Sequence, residues 1–489
     1  MIDQSNRMEP SALFTMSFHV SLVGRKDLSG EIYRQIRRAI LDDRLRSGDR
    51  LSPTRELARA LAVSRMTVTV AYERLAGEGF ITSQVGAGTF VSEGVARGRK
   101  AHSPRAEGLV RPRAFWETIS LPAAFWDVAR FDFRTGLPDT TLFPHRTWRR
   151  LVARALRSAE MAAGRYEHPA GHRDLRSAIA RHIGISRAVE ASADNIVITN
   201  GTQQALDVVA RALLAPGDRI AVEDPGYGPP RYLFQSLGLR VVGVPVDHEG
   251  LIVDALPRGV RAVYVTPSHQ YPLAVAMTLQ RRQTLLAWAE RNGVTIIEDD
   301  YDSEFRFGGR PLEPLQTLDA SGRVIYIGSF SKTMLPNLRL GFLVAPLSLQ
   351  SALHKAKYVS DWHTTTLLQR ALARFIEDGA FARHIRRVSA VYRERHHIVS
   401  DILADEFADH LDVVPSTTGL HIAAMARRAS VNEIAAVARR ALEAGVAVQI
   451  LSTFAAGRSA RAGIVLGYGA IATDEIKEGL RRLRSCFKG

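Results

Sequence analysis

The residues best placed to do chemistry lie in one run, Ile327-Gly328-Ser329-Phe330-Ser331-Lys332-Thr333-Met334-Leu335-Pro336-Asn337-Leu338-Arg339-Leu340-Gly341. A lysine amine attacks an aldehyde only when neutral, and burial behind an apolar strand lowers its pKa toward that state. Lys332 follows such a strand, with hydroxyls at Ser331 and Ser329 one and three residues before it and Arg339 seven after it. The set suits a Schiff base between Lys332 and a phosphorylated aldehyde cofactor whose phosphate Ser329 and Arg339 would hold. A lone lysine after a strand is most often a surface residue, but the whole run is not explained that way. A second set lies near the N-terminus: Arg55, Arg65, Thr67 and Thr69, followed by Gln84, Gly86, Gly88 and Thr89. Short polar and forked side chains of this kind read base edges when a helix start or a thin loop presents them.

The elements around the second set favour that presentation. Leu28, Ile32, Ile36, Ala39 and Ile40 share one face, which predicts a helix over 28–42. A second helix opens at Pro53-Thr54-Arg55, and Ala62-Val63-Ser64 makes a short turn. A third helix is expected from Arg65 to Glu78, burying Val68, Ala71, Tyr72 and Leu75 and leaving Met66, Thr69, Val70 and Glu73 opposite. The run 80–91 holds two short β-prone stretches around a glycine-bearing turn and reads as a hairpin. Three helices and a hairpin make a winged helix-turn-helix. Arg65, Thr67 and Thr69 would then enter a major groove, and Arg55, with Arg44, Arg46 and Arg50, would meet phosphates. Gln84, Gly86, Gly88 and Thr89 would form a wing whose glycines permit close approach to a minor groove. A single arginine here would ordinarily be a solvated surface charge; the module as a whole argues for DNA.

The chain has 489 residues, 46% apolar and 24% charged, which is a globular composition with room for several domains. No uninterrupted apolar stretch is long enough to span a membrane, and no secretory signal pattern opens the sequence. Cys486 is the only cysteine, so no intramolecular disulfide or multi-thiolate zinc site can form; no metal site is expected, and a cytoplasmic setting is. The net charge is +15, and residues 1–114, with 19 Lys and Arg against 12 Asp and Glu, carry nearly half of it. Concentrated on a DNA-binding fold, such an excess is a footprint for phosphate contact. A segment over 95–128, rich in Arg, Pro, Gly, Ala and Ser, reads as a cationic linker. Beyond it, β-branched runs such as 196–199, 219–222, 262–265, 294–297 and 324–327 alternate with amphipathic stretches, which predicts an α/β domain with a largely parallel sheet.

The run Arg50-Leu51-Ser52-Pro53-Thr54-Arg55-Glu56-Leu57-Ala58, then Val63-Ser64-Arg65-Met66-Thr67-Val68, resembles the GntR family of bacterial repressors, with Ser52 and Pro53 in a variant order. The Lys332 run resembles the Schiff-base motif of fold-type I pyridoxal 5′-phosphate (PLP) enzymes, the aspartate aminotransferase superfamily. That resemblance implies further residues in chain order. Thr202 and Gln203, in Thr199-Asn200-Gly201-Thr202-Gln203-Gln204, would receive the phosphate at a helix start. Tyr227, in Glu223-Asp224-Pro225-Gly226-Tyr227, would stack on the pyridine. In Glu298-Asp299-Asp300-Tyr301-Asp302, Asp299 is taken as partner of the ring nitrogen and Tyr301 of the ring oxygen O3′, with Asp300 the competing carboxylate. His269, in Thr266-Pro267-Ser268-His269-Gln270-Tyr271-Pro272, stands where many aminotransferases carry an asparagine and is a candidate contact near O3′; taken alone it would be a structural hydrogen-bonding residue. Tyr166, beside Pro169 and Gly171, would reach the cofactor phosphate of a partner subunit. The superfamily's carboxylate-binding arginine is replaced by Val465, leaving Arg458 and Arg461 as substitutes from the preceding loop.

A GntR-like head over 26–94, the linker over 95–128 and an aminotransferase-like domain over 129–489 together resemble the MocR subfamily of regulators. The resemblance implies a PLP-dependent transcription regulator that senses PLP or an amine or amino-acid effector through Lys332, as a homodimer, head to tail, on an operator with repeated half-sites. The competing readings are an active aminotransferase with a DNA-binding appendage, and a cofactor-free dimerisation scaffold.

Overall fold

The computed structural model describes residues 20, 27–84, 86–93, 111–119, 129–158, 164–308, 313–457 and 460–487. They belong to two compact units, Met1–Arg113 and Ala114–Gly489. The division falls inside the segment read from composition as a linker, where a 3₁₀ turn, Ala114–Thr118, is formed.

In the first unit, α1 (Leu28–Leu41), α2 (Thr54–Ala60) and α3 (Arg65–Gly77) pack around Ile32, Ile36, Leu57, Val68 and Leu75. Asp27 caps α1 by accepting from the Gly30 amide, and Ser64 caps α3 by accepting from the Thr67 amide, each satisfying an otherwise orphaned helix-start donor. The hairpin is β2 (Ile81–Gln84) and β3 (Gly88–Val91), and β1 (Arg50–Leu51) adds a third antiparallel strand on the outer edge of β3. That two-residue strand was not expected, because two residues carry no period to read.

In the second unit, β4 (Phe131–Asp132) pairs in parallel with β15 (Val446–Ala447). The large sheet comprises β5 (Ile196–Thr199), β6 (Arg219–Asp224), β7 (Arg240–Asp247), β8 (Gly250–Leu251), β9 (Val260–Val265), β10 (Thr295–Asp300), β11 (Val324–Ser329) and β12 (Gly341–Val344). Its order is β5-β12-β11-β10-β9-β6-β7-β8, parallel except at β12 and β8. The buried β-branched runs thus form the sheet that their alternation with helical stretches predicts. A second, antiparallel sheet runs β13 (Leu411–Val413), β14 (His421–Ala426), β17 (Gly463–Gly467), β16 (Gln449–Ile450).

Flanking helices, in chain order, are α4 (His145–Leu156), α5 (Arg173–Arg187), α6 (Thr202–Leu213), α7 (Gly228–Ser236), α8 (Leu279–Asn292), α9 (Leu315–Leu318), α10 (Leu347–Asp361), α11 (Thr366–Glu377), α12 (Ala380–Glu406), α13 (Val431–Glu443) and α14 (Ile476–Ser485). Among the described residues, no helix is long and apolar enough to cross a membrane.

Candidate functional site

The pocket lies where strands end. Lys332 follows β11 with its amine enclosed, and its Nζ donates to the Gly136 carbonyl at 2.7 Å. Burial holds its pKa below the usual lysine range, while Asp302 and Asp299 pull it back up and Arg339 pushes it down. Gly136 has φ +82°, and a Cβ there would sit 3.1 Å from Lys332 Nζ, so a glycine is needed for both the backbone and the amine.

The pleat of β10 separates its two terminal carboxylates. Asp299 faces the Lys332 side, where the Tyr264 hydroxyl donates to its Oδ2 at 2.8 Å, and its Oδ1 is buried with no partner among the described residues. Burial raises its pKa to about 7; the Tyr264 hydrogen bond opposes this, Asp300 adds to it and Lys332 opposes it. Asp300 points to the other face, where Arg187 Nε donates at 2.9 Å and the Tyr326 hydroxyl at 2.7 Å. Both donate to Oδ2, and Asp300 Oδ1 is, like Asp299 Oδ1, buried without a partner among the described residues; the ion pair with Arg187 is what separates the two carboxylates and favours Asp299 for a cationic ring nitrogen. The open acceptor Oδ1 fits that partner.

Tyr301 donates its hydroxyl to the His269 carbonyl at 2.8 Å, and its oxygen lies 3.2 Å from His269 Nδ1. His269 is held by Asp302 at 3.0 Å and lies 4.4 Å from the His421 ring, while its Nε2 is buried and unpartnered among the described residues. Tyr227 lies edge-on to Tyr271 at 5.3 Å; the residue is 37% exposed, yet its hydroxyl is desolvated enough to be pushed up to about 12.

At the other end, Arg339 occupies a left-handed conformation (φ +51°) and donates to the Asn200 carbonyl at 2.9 Å. This carries its guanidinium over Gly201, the residue preceding α6, where an added Cβ would lie 3.0 Å from Nη2. Thr202 begins α6, whose free amides and dipole favour an anion, and Ser329 is buried with its Oγ accepting from the Ser331 amide. A cradle of helix start, guanidinium and hydroxyl, which a Cβ at Gly201 would fill, fits a phosphate. Gln203 instead turns to α7, donating to the Pro229 carbonyl at 3.3 Å.

Tyr166 is brought to none of these groups. It is 76% exposed, with its ring tilted by 55° against that of Trp362 at 4.4 Å between centroids. Arg458 lies outside the described residues, and Arg461 donates to the Val246 carbonyl. Val465 is buried in an apolar cluster with Val246, Leu273, Val275, Leu451 and Phe454. Sequence reasoning missed Gly136, Tyr264, Asp302, Arg187 and His421, all brought in by tertiary contact. Asp302 alone had a local signal, three residues beyond Asp299.

In the first unit, Arg55 and Arg65 are exposed at the starts of α2 and α3, with Arg65 Nε 3.4 Å from Thr54 Oγ1. Thr67 and Thr69 make local hydrogen bonds, to Ser64 Oγ and to the Arg65 carbonyl. Met66, 69% exposed, and Val70 lie on the same open face and can offer apolar contact to a thymine methyl. Gln84 is exposed and opposite Gly88, and Thr89 Oγ1 meets Ser83 Oγ at 3.3 Å. Gly86 (φ +79°) and Gly88 (φ +122°) shape the turn, and a Cβ on Gly88 would strike Arg50.

These features define a winged helix-turn-helix joined to an aminotransferase-type α/β domain. Residues 28–91 match the bacterial regulatory proteins of the gntR family, and 138–483 match aminotransferase class I and II. The chain is 36% identical to the probable rhizopine catabolism regulatory protein MocR of Rhizobium meliloti, over 94% of this chain and 93% of that one. It is 33% identical to the HTH-type pyridoxine biosynthesis transcriptional regulator PdxR of Corynebacterium glutamicum, over 91% and 93%. Among solved structures, the α-aminoadipate aminotransferase LysN of Thermus thermophilus, complexed with N-(5′-phosphopyridoxyl)-L-leucine, matches with a TM-score of 0.67 and 32% identity, over 73% of this chain and 92% of that one. The chain belongs to the MocR subfamily of GntR-type transcriptional regulators: a DNA-binding regulator with a fold-type I aminotransferase-like domain.

Proposed function

We propose that this regulator binds pyridoxal 5′-phosphate at Lys332 and uses that site to sense PLP itself or a small amine or amino acid, adjusting how a homodimer holds its operator. The observation that carries the reading is the enclosure of the Lys332 amine beside Asp299, whose Oδ1 lacks a partner among the described residues, with Arg339 over Gly201 as a phosphate cradle.

When bound, the cofactor supplies an aldehyde carbon that a primary amine can join and an electron-withdrawing ring. The protein's part is to bind and orient. Lys332 presents a desolvated amine whose lowered pKa keeps more of it neutral. Asp299 offers its open oxygen to a protonated ring nitrogen, and Tyr301 with His269 borders the place for O3′. Arg339, Ser329 and the start of α6 at Thr202 would hold the phosphate, with the Gln203 side chain turned away to the Pro229 carbonyl, and Tyr227 would border the ring. The Lys332 amine would carry a different charge free than engaged, and a change of charge in so enclosed a place would be able to bias a conformational equilibrium.

Arg55, Arg65, Thr67, Thr69 and the wing residues Gln84, Gly86, Gly88 and Thr89 are assigned to DNA. Tyr166 is assigned to a subunit interface with Trp362, Tyr358 and Val359, whose exposed apolar surface a head-to-tail second copy would cover. Val465 favours sensing over turnover, because the strand position expected to grip an α-carboxylate is aliphatic and enclosed. Borohydride reduction and mass spectrometry of the PLP-treated full chain test the reading. Wild type should retain a phosphopyridoxyl group on the peptide containing Lys332, and Lys332→Ala should not. Absence of the adduct in wild type sinks it.

A further inference from the structure

Arg231 is 8% exposed, its Nε is enclosed, and its guanidinium has neither a hydrogen-bond acceptor nor a carboxylate partner among the described residues. Other buried arginines here are satisfied: Arg187 by Asp300, Arg395 by Asp139, Arg282 by backbone carbonyls and Glu298. Buried charges are ordinarily paired, and one left without a partner is costly, so Arg231 marks a place where something outside the chain can supply the opposite charge.

Its position points to what that is. Arg231 lies in the first turns of α7 and reaches back toward the helix start, as helical side chains do; a Cβ added at Gly228 would lie 3.7 Å from its Nη2 and 3.9 Å from Tyr232. The positive end of the helix dipole and an unpaired cation therefore share one spot, an arrangement that is mutually repulsive until an anion enters. Pro229 and Pro230 remove two first-turn donors, so the guanidinium and the Gly228 amide are what the helix start can offer a ligand.

We propose that the start of α7 is a binding site for a small oxyanion, a carboxylate, sulfonate or phosphate group, with Arg231 as its counter-charge. The site does not depend on Lys332 chemistry. It is nevertheless tied to the pocket, since Tyr227 is the residue that precedes Gly228 and Gln203 at the start of α6 donates to the Pro229 carbonyl. An anion there would hold the Tyr227 ring and the α6 start in register, so its binding and that of the pocket's ligand should be linked.

The test uses full-length protein and inorganic phosphate at constant ionic strength, followed by calorimetry and by the thermal midpoint. Wild type and Arg339→Gln, which lacks the pocket cradle, should both bind phosphate saturably. In the Arg339→Gln background, Arg231→Gln and Arg231→Met should weaken it at least tenfold, and Arg231→Lys less. Without phosphate, Arg231→Met should melt higher than wild type, because it removes an unpaired charge and keeps the aliphatic volume. Three results would overturn the proposal: no saturable binding; binding abolished by Arg339→Gln but kept in Arg231→Gln, which assigns the anion to the cradle; or Arg231→Met melting lower and dissociating the dimer in ultracentrifugation, which assigns Arg231 to a second copy. If PLP fails to attach at Lys332 while phosphate binding still requires Arg231, the cofactor reading falls and this one stands.

Discussion

In the N-terminal unit Arg55 and Arg65 stand exposed at the starts of two helices, whereas in the C-terminal unit the Lys332 amine, Asp299 and Asp300 are enclosed and bonded to Gly136, Tyr264 and Arg187. Charge is used in the two units under opposite physical conditions. Exposed charges act through a screened field and add up nearly independently. Enclosed charges act at low dielectric, where one partner removed leaves another unpaired. Changes in the head should therefore be graded and salt-sensitive, and changes in the pocket steep and sensitive to pH.

The largest effect is expected from Arg339→Gln. It removes a charged hydrogen-bond donor from the cradle over Gly201, worth about 1.5–3 kcal/mol, so PLP affinity measured by equilibrium titration should fall roughly 10- to 150-fold at a pH where Lys332 is unaltered. A fall of less than threefold would mean that Arg339, which is itself exposed beside the Asn200 carbonyl, does not hold the phosphate. Next comes Arg65→Ala. Loss of a base-edge contact costs about 1–3 kcal/mol on the cognate operator with little change on random DNA. Equal loss on both sequences in a competition assay would make Arg65 a phosphate contact.

Asp299→Asn sharpens the pH side of the comparison. In the cofactor-free chain the carboxyl titrates at about 7 instead of its ordinary 3.8, so the folded state keeps a proton that the unfolded chain has released. Stability from this group is present below that window and is lost as pH rises from about 4 to about 7. Asp299→Asn should abolish that portion of the pH dependence of the thermal midpoint. PLP affinity should rise with pH in wild type as Asp299 ionises, by up to about tenfold between pH 6 and 8, and stay flatter in the variant. Parallel pH profiles in the two proteins would show that Asp299 does not face the bound ring.

Legibility in the sequence followed the same divide. The head's helices could be read because their apolar spacing and caps are local, and Ser64 caps α3 where the turn ended. The hydroxyls of Thr67 and Thr69 bond to Ser64 and to the Arg65 carbonyl, which side-chain type alone does not show. In the pocket, the run around Lys332 was legible as a motif. The choice between Asp299 and Asp300 had no local basis, since the pleat places neighbours on opposite faces without saying which face is the pocket. Arg187 and Tyr326 favour Asp299 by both donating to Asp300 Oδ2, and both come from distant segments. Gly136 likewise meets Lys332 across 196 positions of chain, beyond the reach of any periodicity. Val465 was visible as a departure, but only the fold shows that aliphatic side chains surround it.

The smallest effect separates the two regions most cleanly. Arg55 is exposed in the first turn of α2, with no carboxylate partner among the described residues. If it neutralises one phosphate, Arg55→Ala should lower the slope of log affinity against log salt by about 0.9 and weaken all DNA sequences alike. The change would be modest at physiological salt and larger in dilute buffer, because the Debye length grows from about 8 Å at 0.15 M to about 30 Å at 0.01 M. PLP binding should be identical to wild type at every salt concentration. A salt slope unchanged by Arg55→Ala, with specificity altered, would turn Arg55 into a reader of bases and move the recognition surface from α3 alone to the crossing of α2 and α3.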